Sequence, residues 1–421
     1  APDVIIPKCK YCYFDKKELI DKNRINGIIS NYMNKGYRVI ALAYRKKVSD
    51  DLIYLGCILL KDEVRKDAIE GVKLIKSAGV NLIVVTGDSL DTAMYIGREL
   101  DLYKDDDVCL TSSDLSLMSD DELKALANRL KIVARAKPTD KSRLVRIFKE
   151  LNLVVGMTGD GINDAAALKK CDVGFAMGSG ADVAKEAADI VILDDNICSI
   201  SMAILFGRTI FKNIRKFIIF QLTVNICAMS LSIIGPFIGI STPVTVMQML
   251  WINMIMDSLA SLAFAYDNPN KIYMREKPKS KNEHIINKYM YGEILITGLY
   301  SSLLCILFLK LPVFKELIRY DVDNKYFLTA FFTLFVFIGI FNAFNARTSK
   351  LNLFSNILGN KVFMFVFLIV GIIQIYFIYY GGRFRTYGLT LKELLICLGL
   401  AFTVIPFDLL RKYLIGSKDY V

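Results

Sequence analysis

The chain has 421 residues, 54% of them hydrophobic, and its mean hydropathy is +0.39. This composition excludes a soluble protein of ordinary design. The formal net charge is +11, but the surplus lysines and arginines flank apolar stretches, as in "RTIFKNIRK" and "LLRKYLIGSK". That placement follows the positive-inside rule, whereas a nucleic-acid-binding protein would carry a basic stripe with base-reading partners. No nucleic-acid partner is therefore predicted.

The nine cysteines are scattered along the chain. Cys9 and Cys12 form one CxxC pair, but no second pair accompanies it, and the only histidine is His284. We therefore predict reduced, mostly packing cysteines in a cytosol-facing protein rather than a metal site at this pair.

The first half of the chain alternates short apolar runs with helical patterns. Strands are predicted at 38–47, 52–65, 81–88, 131–138, 151–160, 172–178 and 190–195, and helices at 67–79, 90–102, 139–151, 163–171 and 181–189. This alternation is typical of an α/β domain with a parallel sheet and helices on both faces. Sheets of this kind carry their chemistry at the carboxyl ends of the strands.

The second half contains six stretches long enough to cross about 30 Å of hydrocarbon. They lie near 214–239, 244–266, 289–311, 327–346, 361–380 and 390–410. The links near 267–288 and 346–361 are rich in lysine and arginine, and both ends of this half are basic. An even number of spans with basic ends places the soluble half and the C-terminus in the cytosol.

Polar groups follow three of the predicted strands. They are Thr86, Gly87 and Asp88 in "VVTGD", Lys141 in "ARAKPTDK", and Asp160, Asn163 and Asp164 in "GMTGDGIND". A hydroxyl and glycine amides can hold phosphoryl oxygens, a lysine neutralises their charge, and paired carboxylates bind Mg²⁺. Together these groups indicate a site for phosphoryl transfer, although a TGD sequence alone could equally be a turn.

Polar residues also interrupt two of the apolar spans. Asn253 and Asp257 lie four residues apart in "MLWINMIMDSLASLAFA", so helical spacing predicts that they share one face. A carboxylate within a membrane span normally marks an ion pathway, although a structural hydrogen-bonded pair is the alternative. Asn225 on the preceding span is either a further ligand or a contact between helices. Hard oxygens suit Ca²⁺ better than a soft metal.

The stretch "TGDGINDAAALKKCDVGFAMGSGADVAKEAADIVILDD" resembles the hinge signature of P-type ATPases. The resemblance covers essentially the whole chain and implies a fold in two parts. An α/β haloacid-dehalogenase-like phosphorylation domain (parallel sheet, helices on both faces) is followed by an all-α bundle of six transmembrane helices. We expect the end of a nucleotide-binding domain at 1–47, the phosphorylation domain at 48–207 and the transmembrane domain at 208–421.

The same resemblance implies roles for individual residues. Asp160 and Asp164 bind Mg²⁺, Asn163 and Asp164 complete the phosphate pocket, Lys141 contacts the phosphorylated site, and Thr86, Gly87 and Asp88 hold phosphate oxygens.

ATP is the implied nucleotide. "KDEVR" resembles a segment beside it, which implicates Asp62 and Arg65, with Glu63 standing where the family usually has proline. Arg38 matches an arginine that reaches the nucleotide phosphates, and without the family it could equally be a solvated charge at a strand edge.

Within the family, "WINMIMDSLASLA", "NPNKIYMREKP" and "FNAFNAR" look most like the plasma-membrane, calmodulin-regulated calcium pumps. The two-ion sarcoplasmic-reticulum type uses further oxygen ligands, and these fall at Ala228, at Met256 and near Gly339 here. We therefore expect export of one Ca²⁺ per ATP, with ligands from Asn225, Asn253 and Asp257 and from a glutamate on a membrane helix outside this chain.

Several parts of a complete pump have no counterpart in these residues. No DKTGT phosphorylation motif and no TGE-type motif occur. We expect a C-terminal fragment that is inactive alone and whose partners are the membrane lipid and an N-terminal half with the DKTGT segment, the actuator domain and four helices. Calmodulin could bind only through that missing half.

The plasma membrane is the favoured location and the vacuolar membrane the alternative. Transport of Mn²⁺ or H⁺, or a non-catalytic stand-alone membrane fragment, are the alternative functions.

Overall fold

The computed structural model describes residues 2–14, 16–45, 47, 51–61, 63–104, 106–237, 239, 244–353 and 359–415. The chain divides into two compact units. The first comprises Ala1–Leu205 with Lys271–Glu283, and the second comprises Phe206–Asn270 with His284–Val421. The segment Lys271–Glu283, predicted as part of the transmembrane domain, thus groups with the first unit.

The N-terminal part of the first unit forms a four-stranded mixed sheet. Its strands are β1 (Cys9–Tyr13), β2 (Lys17–Leu19), β3 (Arg38–Tyr44) and β4 (Leu52–Leu60), in the order β2-β1-β4-β3. The pair β3–β4 is antiparallel, whereas β1 and β4 are parallel. Cys9 and Cys12 are buried in the core of this sheet beside Ile29 and Val39, where a thiol packs as a small apolar group.

The remaining strands of the first unit form two three-stranded sheets, and each is entirely parallel. In the first, β5 (Val84–Val85), β6 (Val108–Thr111) and β7 (Leu130–Ala134) lie in the order β5-β7-β6, and in the second, β8 (Gly156–Gly159), β9 (Val173–Met177) and β10 (Ile190–Ile192) lie in the order β10-β9-β8. Ile132, Val133 and Ala134 of β7 are completely buried, as expected for a parallel strand covered on both faces. The predicted parallel arrangement is confirmed.

Nine helices of the first unit connect these strands in the described residues. They are α1 (Pro2–Ile5), α2 (Lys22–Met33), α3 (Lys66–Ser77), α4 (Leu90–Glu99), α5 (Ser112–Leu117), α6 (Asp120–Leu126), α7 (Pro138–Glu150), α8 (Ala165–Leu168) and α9 (Asp182–Ala187). Helices α5 and α6 begin with capping boxes, in which Thr111 pairs with Asp114 and Ser119 with Glu122. Neither helix was predicted, although the Ser/Thr-x-x-acid spacing is a recognisable start signal.

Asp172 joins three parts of the first unit. One carboxylate oxygen accepts from the Val155 N–H at 3.0 Å, and the other lies 3.0 Å from Lys281 Nζ and 3.3 Å from Lys149 Nζ. Burial raises the pKa of the Asp172 carboxyl, but these donors outweigh it, so its pKa lies below the usual value. The contact with Lys281 helps to hold the segment Lys271–Glu283 against the first unit.

We expect Asp172→Asn to lower the free energy of unfolding by about 2 kcal/mol at pH 7 because it removes a partly buried charge with three donors. A carboxyl with a depressed folded-state pKa stabilises the protein above its unfolded-state pKa of about 4, and this contribution disappears as the pH falls through the folded-state value. Thermal unfolding of the purified protein should therefore show a difference between wild type and variant that narrows below pH about 4. A difference independent of pH would contradict this, and the exposed Asp182→Asn serves as control.

The second unit consists mainly of six helices that are long and apolar enough to cross a membrane, which confirms the predicted number in the described residues. They are α10 (Ile197–Phe237, of which 197–205 belong to the first unit), α11 (Val246–Ala265), α12 (Lys288–Lys310), α14 (Lys325–Arg347), α15 (Lys361–Tyr380) and α16 (Leu391–Ile415), with the short α13 (Pro312–Leu317) between two of them. Helix α14 is the central helix of the bundle, since 83% of its apolar window is buried against 33% for α15 and α16. Helix α10 begins before the predicted span at 214–239.

Two buried charge networks tie the helices of the second unit together. In the first, Asp267 lies 2.5 Å from Lys216 Nζ on α10 and 3.3 Å from Arg347 at the end of α14. This contact joins the chain just beyond α11 to two other helices. Because each charge has a partner of opposite sign, burial is tolerated.

The second network balances two carboxylates with two cations. Glu293 on α12 lies 3.0 Å from Arg411, and Asp408 lies 2.7 Å from Arg411 and 2.8 Å from Lys412, all three on α16. Lys412 also donates to the backbone oxygen of Asn345 on α14 at 2.8 Å. We call these four charged residues the α12–α16 charge cluster.

Candidate phosphate and cation sites

The loop after β8 places Asp164 in a buried position with a lysine as its partner. The Asp164 side chain is 7% exposed, and its Oδ1 lies 2.5 Å from Lys141 Nζ in the first turn of α7. Its Oδ2 accepts hydrogen bonds of 3.3 Å from the backbone N–H groups of Asp160 and Gly161. The structure therefore brings Lys141, Asp160 and Asp164 together, as their order in the sequence predicted.

Glycines around this loop leave no room for a side chain. A Cβ at Gly159 would lie 2.5 Å from Cβ of Asp164, and a Cβ at Gly180 would lie 2.8 Å from the backbone oxygen of Asp160. That same oxygen accepts a 2.7 Å hydrogen bond from the Ala181 N–H. The backbone of the loop is thus fixed from two sides, which holds the carboxylates at a constant position.

The turn after β5 is held by backbone hydrogen bonds to the residues at and beyond the end of β7. The Thr86 N–H donates to Val133 O at 2.9 Å, and Thr86 O accepts from the Ala136 N–H at 2.8 Å. The Thr86 hydroxyl donates to Asp88 Oδ2 at 3.1 Å and accepts from the Asp88 N–H at 3.1 Å. Gly87 is exposed at the tip between them. Because Thr86 and Asp88 already use their N–H groups within the protein, the exposed N–H of Gly87 is the group of this turn best placed to meet a phosphoryl oxygen.

Arg38, a predicted nucleotide contact, pairs with this turn. Its Nε lies 3.8 Å from Asp88 Oδ1, while the arginine side chain stays 71% exposed. In the described part of the chain, no hydrogen bond or ion pair joins the Thr86–Asp88 turn to the Lys141–Asp164 pair.

The other two predicted nucleotide residues are less informative. Arg65 donates to Asp67 at 2.9 Å and to the backbone oxygen of Asp195 at 3.5 Å, so it contacts the start of α3 and the loop after β10. Asp62 lies outside the described residues. The nucleotide roles of both stay predictions.

Asp160 is the side chain at this site best suited to Mg²⁺. It is exposed at the end of β8, and its carboxylate has no hydrogen bond or ion pair among the described residues. Mg²⁺ is commonly bound by one or two carboxylates with water and phosphate oxygens completing the octahedron, and an accessible carboxylate fits that pattern. Both oxygens of Asp164 are already hydrogen-bonded within the protein, so its role as a direct Mg²⁺ ligand stays a prediction, as does the role of the exposed Asn163.

Asp257, the predicted cation ligand in the membrane helices, is buried with an exposed fraction of 5%. Its Oδ2 accepts a 2.6 Å hydrogen bond from Nε2 of Gln221 on α10. Its Oδ1 and the Gln221 Oε1 are both buried without a hydrogen-bond partner in the described structure. Sequence analysis did not single out Gln221, whose only signal was its polarity within an apolar stretch.

Asn253 does not share the buried face of Asp257, which corrects the prediction. Residues Trp251–Met256 of α11 form a π-helical segment, in which backbone hydrogen bonds span five residues instead of four. Buried positions recur at that spacing. Trp251 and Met256 are five residues apart and both buried, as are Ile252 and Asp257, whereas Asn253 is exposed. Short π-helical segments are frequent at functional sites. Asn225 on α10 is also exposed, and its ligand role stays a prediction.

Met256, the residue before Asp257, contacts α14 at Gly339. A Cβ added at Gly339 on α14 would lie 3.4 Å from the terminal methyl of Met256 and 3.8 Å from Val224. The neighbours of Gly339 on this side are therefore the apolar side chains of Met256 and Val224.

Comparison with known proteins identifies the family. The model described as the C-terminus of cation-transporting ATPases matches residues 241–414, and models of haloacid dehalogenase-like hydrolases match 16–172 and 143–204. The chain belongs to the P-type cation-transporting ATPases. The two matched regions correspond to the α/β unit and the helical unit, so the predicted fold class is confirmed.

Among the relatives of this ATPase chain, calcium-transporting ATPase PAT1 of Dictyostelium discoideum is 34% identical over 91% of this chain and 38% of its own length. The putative plasma membrane-type calcium-transporting ATPase 13 of Arabidopsis thaliana is 35% identical over 93% and 40%. Calcium-transporting ATPase 2 of Schizosaccharomyces pombe is 37% identical over 79% and 26%. The chain therefore spans about two fifths or less of the relatives it matches. Six apolar helices and the plasma-membrane-type relatives identify a multi-pass membrane protein of the plasma membrane.

Proposed function

We propose that this chain belongs to an ATP-driven pump that exports Ca²⁺ from the cytosol through an aspartyl-phosphate cycle. The observation that carries the proposal is the buried carboxylate of Asp257, which retains an oxygen without a partner inside an apolar helix. Such a group is costly in a membrane unless it serves a transported ion. Hard oxygen ligands favour Ca²⁺, the ion that the names of the relatives specify.

The phosphate chemistry of the pump is proposed to use the strand-end groups of the first unit. Bound Mg²⁺ would neutralise charge on the transferred phosphoryl group, and Asp160 is the residue best placed to hold it. Lys141 would add a positive charge near the phosphoryl oxygens while Asp164 orients it at 2.5 Å. Thr86 and the exposed amide of Gly87 would donate hydrogen bonds to the phosphoryl oxygens. Arg38 would contact ATP.

A stoichiometry of one Ca²⁺ per ATP is part of the proposal. The support is the apolar contact between Met256 and Gly339, two positions where the resemblance to the two-ion type led us to expect further oxygen ligands. Asn225 and Asn253 remain proposed ligands from their polarity alone.

The remaining components are proposed to lie outside these 421 residues. They are the aspartate that accepts the phosphoryl group, the actuator domain, four further membrane helices and any calmodulin-binding segment. On this proposal the chain by itself does not form a phosphoenzyme.

The test is phosphorylation of the complete protein that contains this chain, expressed from its intact coding sequence. With ATP and Mg²⁺, we expect a hydroxylamine-sensitive phosphoenzyme to form on addition of Ca²⁺ and not on addition of Mn²⁺ or a change of pH. Formation with Mn²⁺ or H⁺ alone would assign a different cation. Two Ca²⁺ bound per phosphoenzyme would contradict the proposed stoichiometry, and no phosphoenzyme under any condition would favour a non-catalytic membrane protein.

A further inference from the structure

We propose that Gln221 supplies an oxygen ligand to the cation bound at Asp257 and fixes the orientation of that carboxylate. The inference rests on the proposed function, because it concerns the same cation site. It adds a ligand on α10 that neither the sequence motifs nor the resemblance to the family indicated.

The first support is the pairing of unsatisfied atoms. Gln221 Oε1 and Asp257 Oδ1 are both buried and both lack a hydrogen-bond partner in the described structure. A buried acceptor without a partner is rare because it loses its hydrogen bonds to water, so two such oxygens on side chains that contact each other need a common explanation. A cation bound by both oxygens provides it, since each is a hard oxygen of the type that Ca²⁺ prefers.

The second support is the short contact between the two side chains. The Gln221 Nε2 lies 2.6 Å from Asp257 Oδ2. In each side chain the other oxygen is bonded to the same carbon as the contacting atom, so both oxygens lie near the contact. The ionised carboxylate also determines the direction of the amide, because Oδ2 requires an N–H donor and would repel the amide oxygen. With the N–H directed at Oδ2, Oε1 is left available to a cation.

The third support is the position of Gln221 on its helix. Asn225, the other polar candidate on α10, is exposed, whereas Gln221 is partly buried and contacts α11 directly. Because the contact joins two helices, a ligand at Gln221 would fix the spacing of α10 and α11 around the ion. A purely structural hydrogen bond between helices is the alternative that the experiment must exclude.

The experiment measures equilibrium binding of ⁴⁵Ca²⁺ to the purified complete protein, without ATP. Gln221→Met removes the amide at nearly constant volume and is expected to weaken Ca²⁺ binding by about tenfold or more, as losses of groups around a metal typically do. Gln221→Glu keeps an oxygen for the ion and, held protonated beside the Asp257 carboxylate, an O–H donor for Oδ2, so it is expected to bind Ca²⁺ within about threefold of wild type. The matched control is Thr223→Val, two residues along α10, whose hydroxyl donates only within its own helix to Ile219 O at 2.7 Å.

The outcomes separate the inference from the proposed function. Wild-type protein that binds no Ca²⁺ overturns the proposed function and the inference with it. Wild-type binding with equal affinity in Gln221→Met overturns the inference alone. Equal weakening in the methionine and glutamate variants, with unchanged melting temperatures, assigns Gln221 to a structural hydrogen bond and also overturns it. Should the methionine variant not fold, Gln221→Asn withdraws the amide by one methylene and is expected to give the same loss.

Discussion

Asp257→Asn is expected to abolish Ca²⁺-dependent phosphorylation by ATP in the complete protein, while phosphorylation from inorganic phosphate survives. The substitution keeps the shape of the side chain and removes its charge, so the hydrogen bond with Gln221 has a neutral partner and the cation loses its only buried carboxylate in the middle of α11. Phosphorylation by ATP requires the ion on this proposal, whereas phosphorylation from phosphate does not. The measurement is the amount of acid-stable phosphoenzyme formed with labelled ATP and with labelled phosphate.

The two substrates together distinguish a ligand from a structural residue. Loss of both reactions would show that Asp257 supports the fold of the bundle, and retention of both would remove it from the cation site. Asp323→Asn is a suitable control, because that carboxylate is 65% exposed in the loop before α14. We expect it to leave both reactions unchanged.

Lys141→Met is expected to reduce phosphoenzyme formation by about a hundredfold or more, because it removes a fixed positive charge beside the transferred phosphoryl group. It should also lower the free energy of unfolding by about 3 kcal/mol, since Asp164 would be left as a buried charge without its partner. Binding of ⁴⁵Ca²⁺ should be unchanged, since the substitution lies in the first unit and leaves the residues around Asp257 as they are. Thermal unfolding, phosphoenzyme assays and Ca²⁺ binding measure the three effects.

A double substitution separates the two roles of this lysine. Lys141→Met with Asp164→Asn removes both charges, so the melting temperature should return towards that of wild type while phosphoenzyme formation stays low. Recovery of phosphorylation in the double variant would mean that Lys141 acts only by neutralising Asp164. Lys185→Met is the control for loss of a lysine, because its pair with Asp182 is exposed and worth little.

The sequence predicted those features that depend on local composition. The six membrane helices were found because a span requires about 20 apolar residues, whatever surrounds it. The parallel strands were found because strands buried on both faces contain apolar runs, such as Ile132, Val133 and Ala134 of β7. Lys141 and Asp164 were both picked out because each follows a predicted strand, but β7 and β8 belong to two separate parallel sheets, so the contact between them was not determined by one shared sheet edge.

Features that depend on contacts between distant segments were not predicted. Gln221 approaches Asp257 across 36 positions of sequence, and nothing in "FQLTVN" indicates that contact. Helical periodicity predicted one shared face for Asn253 and Asp257, whereas the structure has a π-helical segment at Trp251–Met256 with Asn253 exposed and Asp257 buried, and no sequence signal marks that segment. The parallel pairing of β1 with β4 likewise arises from tertiary packing of short strands.

The α12–α16 charge cluster bears on how the protein is assembled in the membrane. Helix α16 carries Asp408, Arg411 and Lys412 near its end, and Arg411 pairs with Glu293 on α12, a helix that is synthesised earlier. Charged residues within membrane helices normally face other helices and pair with one another, and the contact of Arg411 with Glu293 follows that pattern. Stable insertion of α16 therefore depends on α12 being in the membrane already. Substitution of Glu293 would then reduce the amount of protein in the membrane through failed biogenesis and degradation, rather than slow its transport.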